Sequence, residues 1–196
     1  GVIYTIAPYL FPQLIPAMHA KAPRIPLYLQ ENYTHNLLEQ LRRGELDVII
    51  VALPFSEQGI VTLGIYDEPF CLAVPASHPF SEVDCISRDQ VSAENLLLLG
   101  SGNCFREQVV QACPNLSMPS GVDGTLEGSS LETVRHMVAS GAGTAVVPLS
   151  AAKSWPQNGS LLHFCRFADP APFRRVVMAW RSSYPRPQAI DVLRAS

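Results

Sequence analysis

Two thiols nine positions apart are the strongest chemical signal in this chain. They are Cys104 and Cys113, in Gly100-Ser101-Gly102-Asn103-Cys104-Phe105-Arg106-Glu107-Gln108-Val109-Val110-Gln111-Ala112-Cys113-Pro114. A glycine-flanked turn precedes the first thiol and a proline follows the second. The apolar run at residues 96–99 reads as a buried strand, and Asn103 is a good helix N-cap. Cys104 is therefore predicted in the first turn of a helix. Unpaired backbone N–H groups and the helix dipole favour the thiolate there, which is the reactive form, and Arg106 adds positive charge. Such a thiolate can attack a peroxide oxygen and become a sulfenic acid.

The spacing sets a condition on any bond between the two. If residues 104–113 form one helix, nine rises of about 1.5 Å put the alpha carbons roughly 13 Å apart. Steps of about 100° also place them on opposite faces. A disulfide needs alpha carbons within about 7 Å, so the pair can bond only if the segment unwinds. The Pro-, Ser- and Gly-rich residues 114–128 are the expected source of slack. The competing assignment is plain packing, because buried free cysteines commonly act as small hydrophobes. Cys71 and Cys165, in apolar strand contexts, and Cys85, in a loop, receive that assignment.

The elements that must position these thiols alternate. Residues 2–6 read as a strand. A helix follows from Pro8, with Leu10, Leu14, Ile15 and Met18 on one face and a bend or late start expected at Pro12 and Pro16. Residues 25–30 read as a second strand. Thr34 is expected to cap a helix carrying Leu37, Leu38 and Leu41, which Gly44 stops. Residues 46–53, continuously apolar after Asp47, suit a strand covered on both faces. The first fifty residues thus read βαβαβ. Beyond them, 61–66 and 70–75 are expected as two extended pieces around Asp67-Glu68-Pro69, and 88–93 as a short helix. Ser130 caps a helix bearing Leu131, Val134, Met137 and Val138, closed by Gly141. Strands are expected at 144–147, 161–164 and 175–181, a polar loop at 154–160, and a terminal helix from Gln188.

This order predicts an α/β fold of two Rossmann-like lobes joined by two crossover strands. Its subdivision is 1–73, then 74–165 carrying the cysteine pair, then 166–196 returning to the first lobe. The cleft of such a fold is the default ligand site.

The 196 residues are 47% hydrophobic and 16% charged, enough for a substantial core. A net charge of -3, with Arg42-Arg43 and Arg174-Arg175 as isolated pairs, argues against this chain gripping nucleic acid by itself. No apolar run is long enough for a membrane span, and no basic-then-apolar signal is present. Five cysteines, no C-x-x-C and no Cys/His cluster disfavour a secreted disulfide framework or a zinc site. The expected compartment is the cytoplasm. Because the chain opens inside a strand, a further N-terminal segment is expected to precede it.

Three stretches make the chain resemble the regulatory domain of LysR-type transcriptional regulators, a periplasmic-binding-protein-like fold. They are Leu37-Leu38-Glu39-Gln40-Leu41-Arg42-Arg43-Gly44-Glu45-Leu46-Asp47, the His78-Pro79 turn, and Ser130-Leu131-Glu132-Thr133-Val134-Arg135-His136-Met137-Val138-Ala139-Ser140-Gly141-Ala142-Gly143. Within that family it is similar to the peroxide-sensing members. Thr5-Ile6-Ala7-Pro8-Tyr9-Leu10, Thr34-His35, Cys104-Phe105-Arg106-Glu107-Gln108 and Cys113 follow their pattern in order.

The resemblance implies that Cys104 is the peroxidatic cysteine and Cys113 the resolving one. It implies that Thr5 and Thr34 hydrogen-bond the peroxide or a water, that Arg175 helps hold the thiolate, and that Asn103, Arg106 and Gln108 line the same pocket. It also implies hydrogen peroxide as the signal, homodimers and tetramers, and DNA and RNA polymerase contacts made only through the full-length protein. A winged helix-turn-helix would precede this chain, and a glutaredoxin or thioredoxin system would be the reductant. No cofactor, metal or membrane is implied, and the device is a switch rather than a turnover enzyme. One departure stands out: the pattern has a histidine immediately before the reactive cysteine, where this chain has Asn103. An amide can only hydrogen-bond, so altered reactivity or pH dependence is expected rather than lost sensing.

Other readings remain open on the residues alone. The domain could bind a small organic effector in its cleft, with the cysteines incidental and Thr5 and Thr34 facing the ligand. A thiol peroxidase and a secreted solute-binding protein are further alternatives, disfavoured by the cysteine pattern.

Overall fold

The computed structural model describes residues 1–113, 127–156 and 161–196. Most of the expected source of slack (114–126 of 114–128) and most of the expected polar loop (157–160 of 154–160) lie outside the described residues. In chain order the first elements are β1 (Val2–Ile3), α1 (Ala7–Lys21), β2 (Glu31–Asn32), α2 (Thr34–Arg43), β3 (Val48–Ala52) and β4 (Ile60–Pro75). There follow β5 (Cys85–Ile86), α3 (Arg88–Ser92), β6 (Leu98–Leu99), α4 (Cys104–Ala112), β7 (Glu127–Gly128), α5 (Leu131–Ala139), β8 (Ala145–Pro148) and α6 (Leu149–Lys153). The last are β9 (Leu162–Phe167), β10 (Phe173–Arg181) and α7 (Pro187–Ala195).

The chain divides into two compact units, Gly1–Asp67 with Arg175–Ser196, and Glu68–Arg174. The division falls inside β4 and β10, not after residues 73 and 165. The reason is strand pairing. Phe70 to Ala73 pair with β8 and Cys71 to Pro75 with β9, so this half of β4 belongs to the second unit. After β9 the chain stays on that unit, where Ala168 donates to the Ile86 carbonyl and Phe70 to that of Pro172.

In the first unit β1 lies between β2 and β3, parallel to both, and β10 pairs antiparallel with β3. This is the expected βαβαβ arrangement. Leu37 and Leu41, one turn apart, are fully buried under α2. Gly44 ends that helix in the left-handed conformation at φ 78, where L side chains are disfavoured. Thr34 is the first residue of α2 and not its cap: Tyr33 holds the N-cap position, with no side-chain cap bond. α1 runs through Pro12 and Pro16 as one fifteen-residue helix. Both prolines lie on its exposed face, where water can satisfy the carbonyls they leave unbonded, while Ala7, Tyr9, Leu14 and Met18 bury the opposite face. The strand expected at 25–30 is not formed; the second strand is instead β2, at Glu31–Asn32, just beyond that run. Pro26, inside the run, removes a ladder donor.

In the second unit the sheet order is β8-β4-β9-β5, with β8 and β9 antiparallel to β4 and β5 parallel to β9. The two expected extended pieces around Pro69 are one continuous strand, with Glu68 and Phe70 buried and Pro69 exposed between them. Cys85, expected in a loop, is the exposed first residue of β5. Ser87 opens α3 with a capping box to Gln90, and Ser130 accepts from the Thr133 N–H at the start of α5. β6 pairs parallel with β7, forming a small two-stranded sheet.

Behind β6 the backbone closes tightly on itself. Thr144 donates to the Asn95 carbonyl and Leu97 to that of Thr144. A Cβ at Gly143 would lie 2.6 Å from the Asn95 carbonyl oxygen and 3.1 Å from Leu97 Cγ. Gly143→Ala is therefore expected to destabilise the protein by about 1–3 kcal/mol, as overpacking against fixed backbone does. A lowered urea midpoint with an unchanged slope would register it.

Candidate functional site

The Cys104 site is built by β6, the turn after it and α4. Leu98 and Leu99 are buried, and Gly102 takes φ 92 in the turn, a conformation that disfavours side chains. Asn103 holds the N-cap position of α4, but its side chain makes no cap bond. Its Nδ2 instead donates back to the Gly100 carbonyl at 3.3 Å. The residue is buried and serves to close the turn. Cys104, at intermediate exposure, is the first residue of α4, where the helix dipole favours a thiolate.

Phe105, Gln108 and Val109 form the buried face of α4. Phe105 meets Phe70 edge-on at 5.2 Å, and the Arg174 guanidinium lies 5.1 Å from its ring centroid. Arg174 is itself buried. Its Nε and Nη2 each reach Glu68 Oε2 at 2.7 Å, while the Ser150 N–H donates to Glu68 Oε1 at 3.2 Å. A charged cluster thus sits under the first turn of α4. Arg106 points elsewhere: its Nη1 donates to the Leu99 carbonyl at 2.7 Å and to Glu127 Oε1 at 2.6 Å.

Cys113 follows the last helical residue, fully buried, its N–H on the Val109 carbonyl at 3.0 Å. Burial raises its pKa above the ordinary thiol value, and Arg88 partly offsets this. Among the described residues none of the five cysteines is in a disulfide. With α4 intact over its nine residues, the two ends of the segment stand too far apart for a disulfide.

The first unit brings two of the expected residues together. The register pairs Val2 with Glu31 and Ile3 with Asn32. Thr5 and Thr34 therefore stand at equivalent positions, each two residues past the carboxyl end of adjacent parallel strands. The edge-on contact of Tyr4 and Tyr33 at 5.2 Å lies at the same level. Thr5 is buried and Thr34 half-buried. Arg175 also belongs to the first unit. Its Nε and Nη2 grip the Asp67 carboxylate at 2.6 and 2.7 Å, which holds that carboxyl below its ordinary range.

Sequence reasoning chose Arg175 of the Arg174-Arg175 pair and passed over Arg174 and Glu68. A usable signal existed. Asp67-Glu68 and Arg174-Arg175 are two charged dipeptides in strands, and strand residues alternate faces. Each dipeptide must then send one member inward and one outward, and an inward charge requires an inward partner. The structure buries Glu68 with Arg174 and exposes Asp67 with Arg175.

Two of the remaining thiols, Cys71 and Cys165, are buried in the second unit. Cys71 Sγ contacts the Val147 carbonyl at 3.6 Å and Cys165 Sγ the Phe80 carbonyl at 3.2 Å. Burial pushes Cys71 up to about 12 and Cys165 to about 11. In the unfolded chain both ionise near 9.0, so above that pH the unfolded state sheds protons that the folded state keeps. Stability is then lost as pH rises from about 9, by up to about 1.4 kcal/mol per pH unit for each thiol. Urea midpoints at pH 8 and 10 are expected to show this loss, and a Cys71→Ala, Cys165→Ala variant to show less of it.

Comparisons with known proteins agree with this architecture. The LysR substrate binding domain model matches residues 1–196. A probable hydrogen peroxide-inducible genes activator of Streptomyces viridosporus is 35% identical over 196 residues, all of this chain and 62% of that protein. The DNA-binding transcriptional dual regulator OxyR of Escherichia coli K12 is 33% identical over 186 residues, 94% of this chain and 60% of that protein. The chain thus spans less than two thirds of the length of these relatives. The reduced form of the OxyR regulatory domain from Pseudomonas aeruginosa superposes with a TM-score of 0.90 at 50% identity, covering 100% of this chain and 94% of that one. Matched from end to end by the family model, and carrying the two-unit α/β fold described above, the chain belongs to the LysR substrate binding domain family.

Proposed function

We propose that this chain is the peroxide-sensing regulatory domain of a LysR-type transcriptional activator, with Cys104 as the reacting thiol and Cys113 as its resolving partner. The observation that carries the reading is the placement of both thiols on one helix: Cys104 opens α4 half-exposed, and Cys113 lies buried at its end. The relatives named for hydrogen peroxide induction support it.

The chemistry has two steps. The Cys104 thiolate attacks one peroxide oxygen. An S–O bond forms, the O–O bond breaks, and the departing hydroxide takes a proton to become water, leaving a sulfenic acid. Cys113 then attacks that sulfur as its thiolate. The S–S bond forms, the S–O bond breaks, and a second water leaves. Two electrons pass from the two thiols to the peroxide. Between the steps α4 must unwind, because the disulfide geometry is out of reach of the intact helix. That refolding is the signal, passed to dimer packing and thence to DNA binding by the full-length protein.

Asn103 and Gln108 on α4, with Thr5, Thr34 and Arg175 of the first unit, are proposed as peroxide- or water-binding groups. The proposed reductant of the disulfide is a glutaredoxin or thioredoxin system, and the proposed setting the cytoplasm. Among the described residues no helix is long and apolar enough to cross a membrane.

The test is direct. The purified protein is treated with about one equivalent of peroxide, digested without reductant and searched by mass spectrometry for a Cys104–Cys113 peptide. Two free thiols after treatment would overturn the reading. A second reading, a small hydroxyl-recognised effector with incidental cysteines, draws on the matched positions of Thr5 and Thr34. It would be favoured by that same outcome.

A further inference from the structure

We propose that Glu127 is a positioning residue for Cys104: by holding Arg106 it keeps the first turn of α4 wound, and so sets the reduction potential of the Cys104–Cys113 couple. The inference rests on the redox reading above and adds to it a residue that neither reacts nor touches peroxide.

One nitrogen makes the connection. Arg106 Nη1 donates both to the Leu99 carbonyl, at the end of β6, and to Glu127 Oε1 in β7. β6 leads into the turn before Cys104, and Arg106 lies two residues into the helix that follows. The guanidinium therefore ties the first turn of α4 to both strands of the small sheet. Its side chain is only 19% exposed. A charge-assisted bond at such a site is stronger than a pair fully in water, which contributes little.

The anchor itself is fixed. β7 is parallel to β6, with Leu98 opposite Glu127 and Leu99 opposite Gly128. The Gly100 N–H donates to the Gly128 carbonyl at 3.1 Å. Gly128 also lies so close to α5 that a Cβ there would come within 2.3 Å of Val134 Cγ2. Glu127 thus sits on a strand seated against a helix and cannot follow α4 as that helix opens.

Closing the disulfide brings alpha carbons from roughly 13 Å to within about 7 Å, and Arg106 lies in the segment that must rearrange. Its bond to Glu127 belongs to the wound, reduced state. Weakening that bond destabilises the dithiol relative to the disulfide, so the potential moves to more negative values.

The experiment equilibrates the purified protein with glutathione and glutathione disulfide over a range of ratios and measures the disulfide fraction by differential alkylation. In this exchange the protein dithiol gives two electrons to one glutathione disulfide, releasing two glutathione thiols that carry the two protons. Glu127→Gln is expected to raise the equilibrium constant toward the protein disulfide threefold to tenfold; tenfold is about 30 mV for a two-electron couple. Glu127→Asp should fall between that variant and the wild type. Arg106→Gln should shift the constant in the same direction, and adding Glu127→Gln to it should produce no further shift.

A Glu127→Gln curve that overlies the wild type, or a full Glu127→Gln shift in the Arg106→Gln background, would overturn the proposal. A second arm needs no disulfide. Amide hydrogen exchange over residues 104–108 of the reduced protein should be faster in Glu127→Gln than in the wild type. If the wild type forms no Cys104–Cys113 disulfide at any ratio, the redox reading fails. Unchanged exchange in that case would also overturn the anchoring role of Glu127.

Discussion

Cys104→Ser is expected to abolish the peroxide response completely, while Cys113→Ser is expected to leave its first half intact. The asymmetry follows from position. Cys104 opens α4 at intermediate exposure, at the end of the helix that favours an anion. Serine there has no accessible anion near neutral pH and no low-energy path to a sulfenic acid. Cys113 is buried with a raised pKa, a poor nucleophile while the helix is wound. Removing it spares the attack on peroxide and stops the sequence at the sulfenic acid. Intact mass after about one equivalent of peroxide separates the cases. No change is expected for Cys104→Ser, one added oxygen for Cys113→Ser, and the loss of two hydrogens for the wild type. A wild-type mass change in Cys104→Ser would show that another thiol is the reacting one.

The second large effect is on stability. Glu68→Ala is expected to cost about 3–5 kcal/mol, because it leaves the Arg174 guanidinium buried without its counter-charge. For a domain of total stability about 5–15 kcal/mol this is a substantial share. The Ser150 N–H at the start of α6 loses its acceptor in the same step. Replacing both charges, as Glu68→Leu with Arg174→Met, should recover much of the loss, since no buried charge is then stranded. Thermal or urea unfolding of the single and double variants checks the order. The reverse order, with the double variant the less stable, would mean that the ion pair contributes more than a packed apolar pair. Because Arg174 lies under the Phe105 ring, the single variant should also loosen the start of α4, read as faster amide exchange there.

Much of this arrangement is legible in the residues, and the misses have physical causes. The βαβαβ opening and the helices ending at Gly44 and near Gly141 follow from period and turn chemistry. The placement of Cys104 at a helix start follows from the strand and the glycines before it. Asn103 is where local and tertiary preferences part. A residue with strong N-cap preference turns its amide to the Gly100 carbonyl instead. Which of Arg174 and Arg175 faces inward is not legible, because strand parity cannot be read where apolar residues occupy both faces, as at Val176, Val177 and Met178. The late start that the prolines of α1 suggested does not occur: the helix begins at Ala7 and runs through both, which lie on its exposed face. Pro26 acts as a strand breaker, and the apolar residues around it form no strand.

One helix opens on Cys104 and ends just before Cys113, and in the proposed two-step oxidation this divides the response in time. Formation of the sulfenic acid is second order and speeds up with peroxide. Opening of α4 is first order and does not. On that proposal, each modified thiol would have time to find its partner at low oxidant. At high oxidant a second peroxide would compete for the waiting sulfur, and a sulfinic acid is not reversed by ordinary thiols. In the proposed mechanism the opening rate of the nine helical residues of α4 would set the upper end of the dynamic range. A helix that frays faster widens that range, and one held more firmly narrows it.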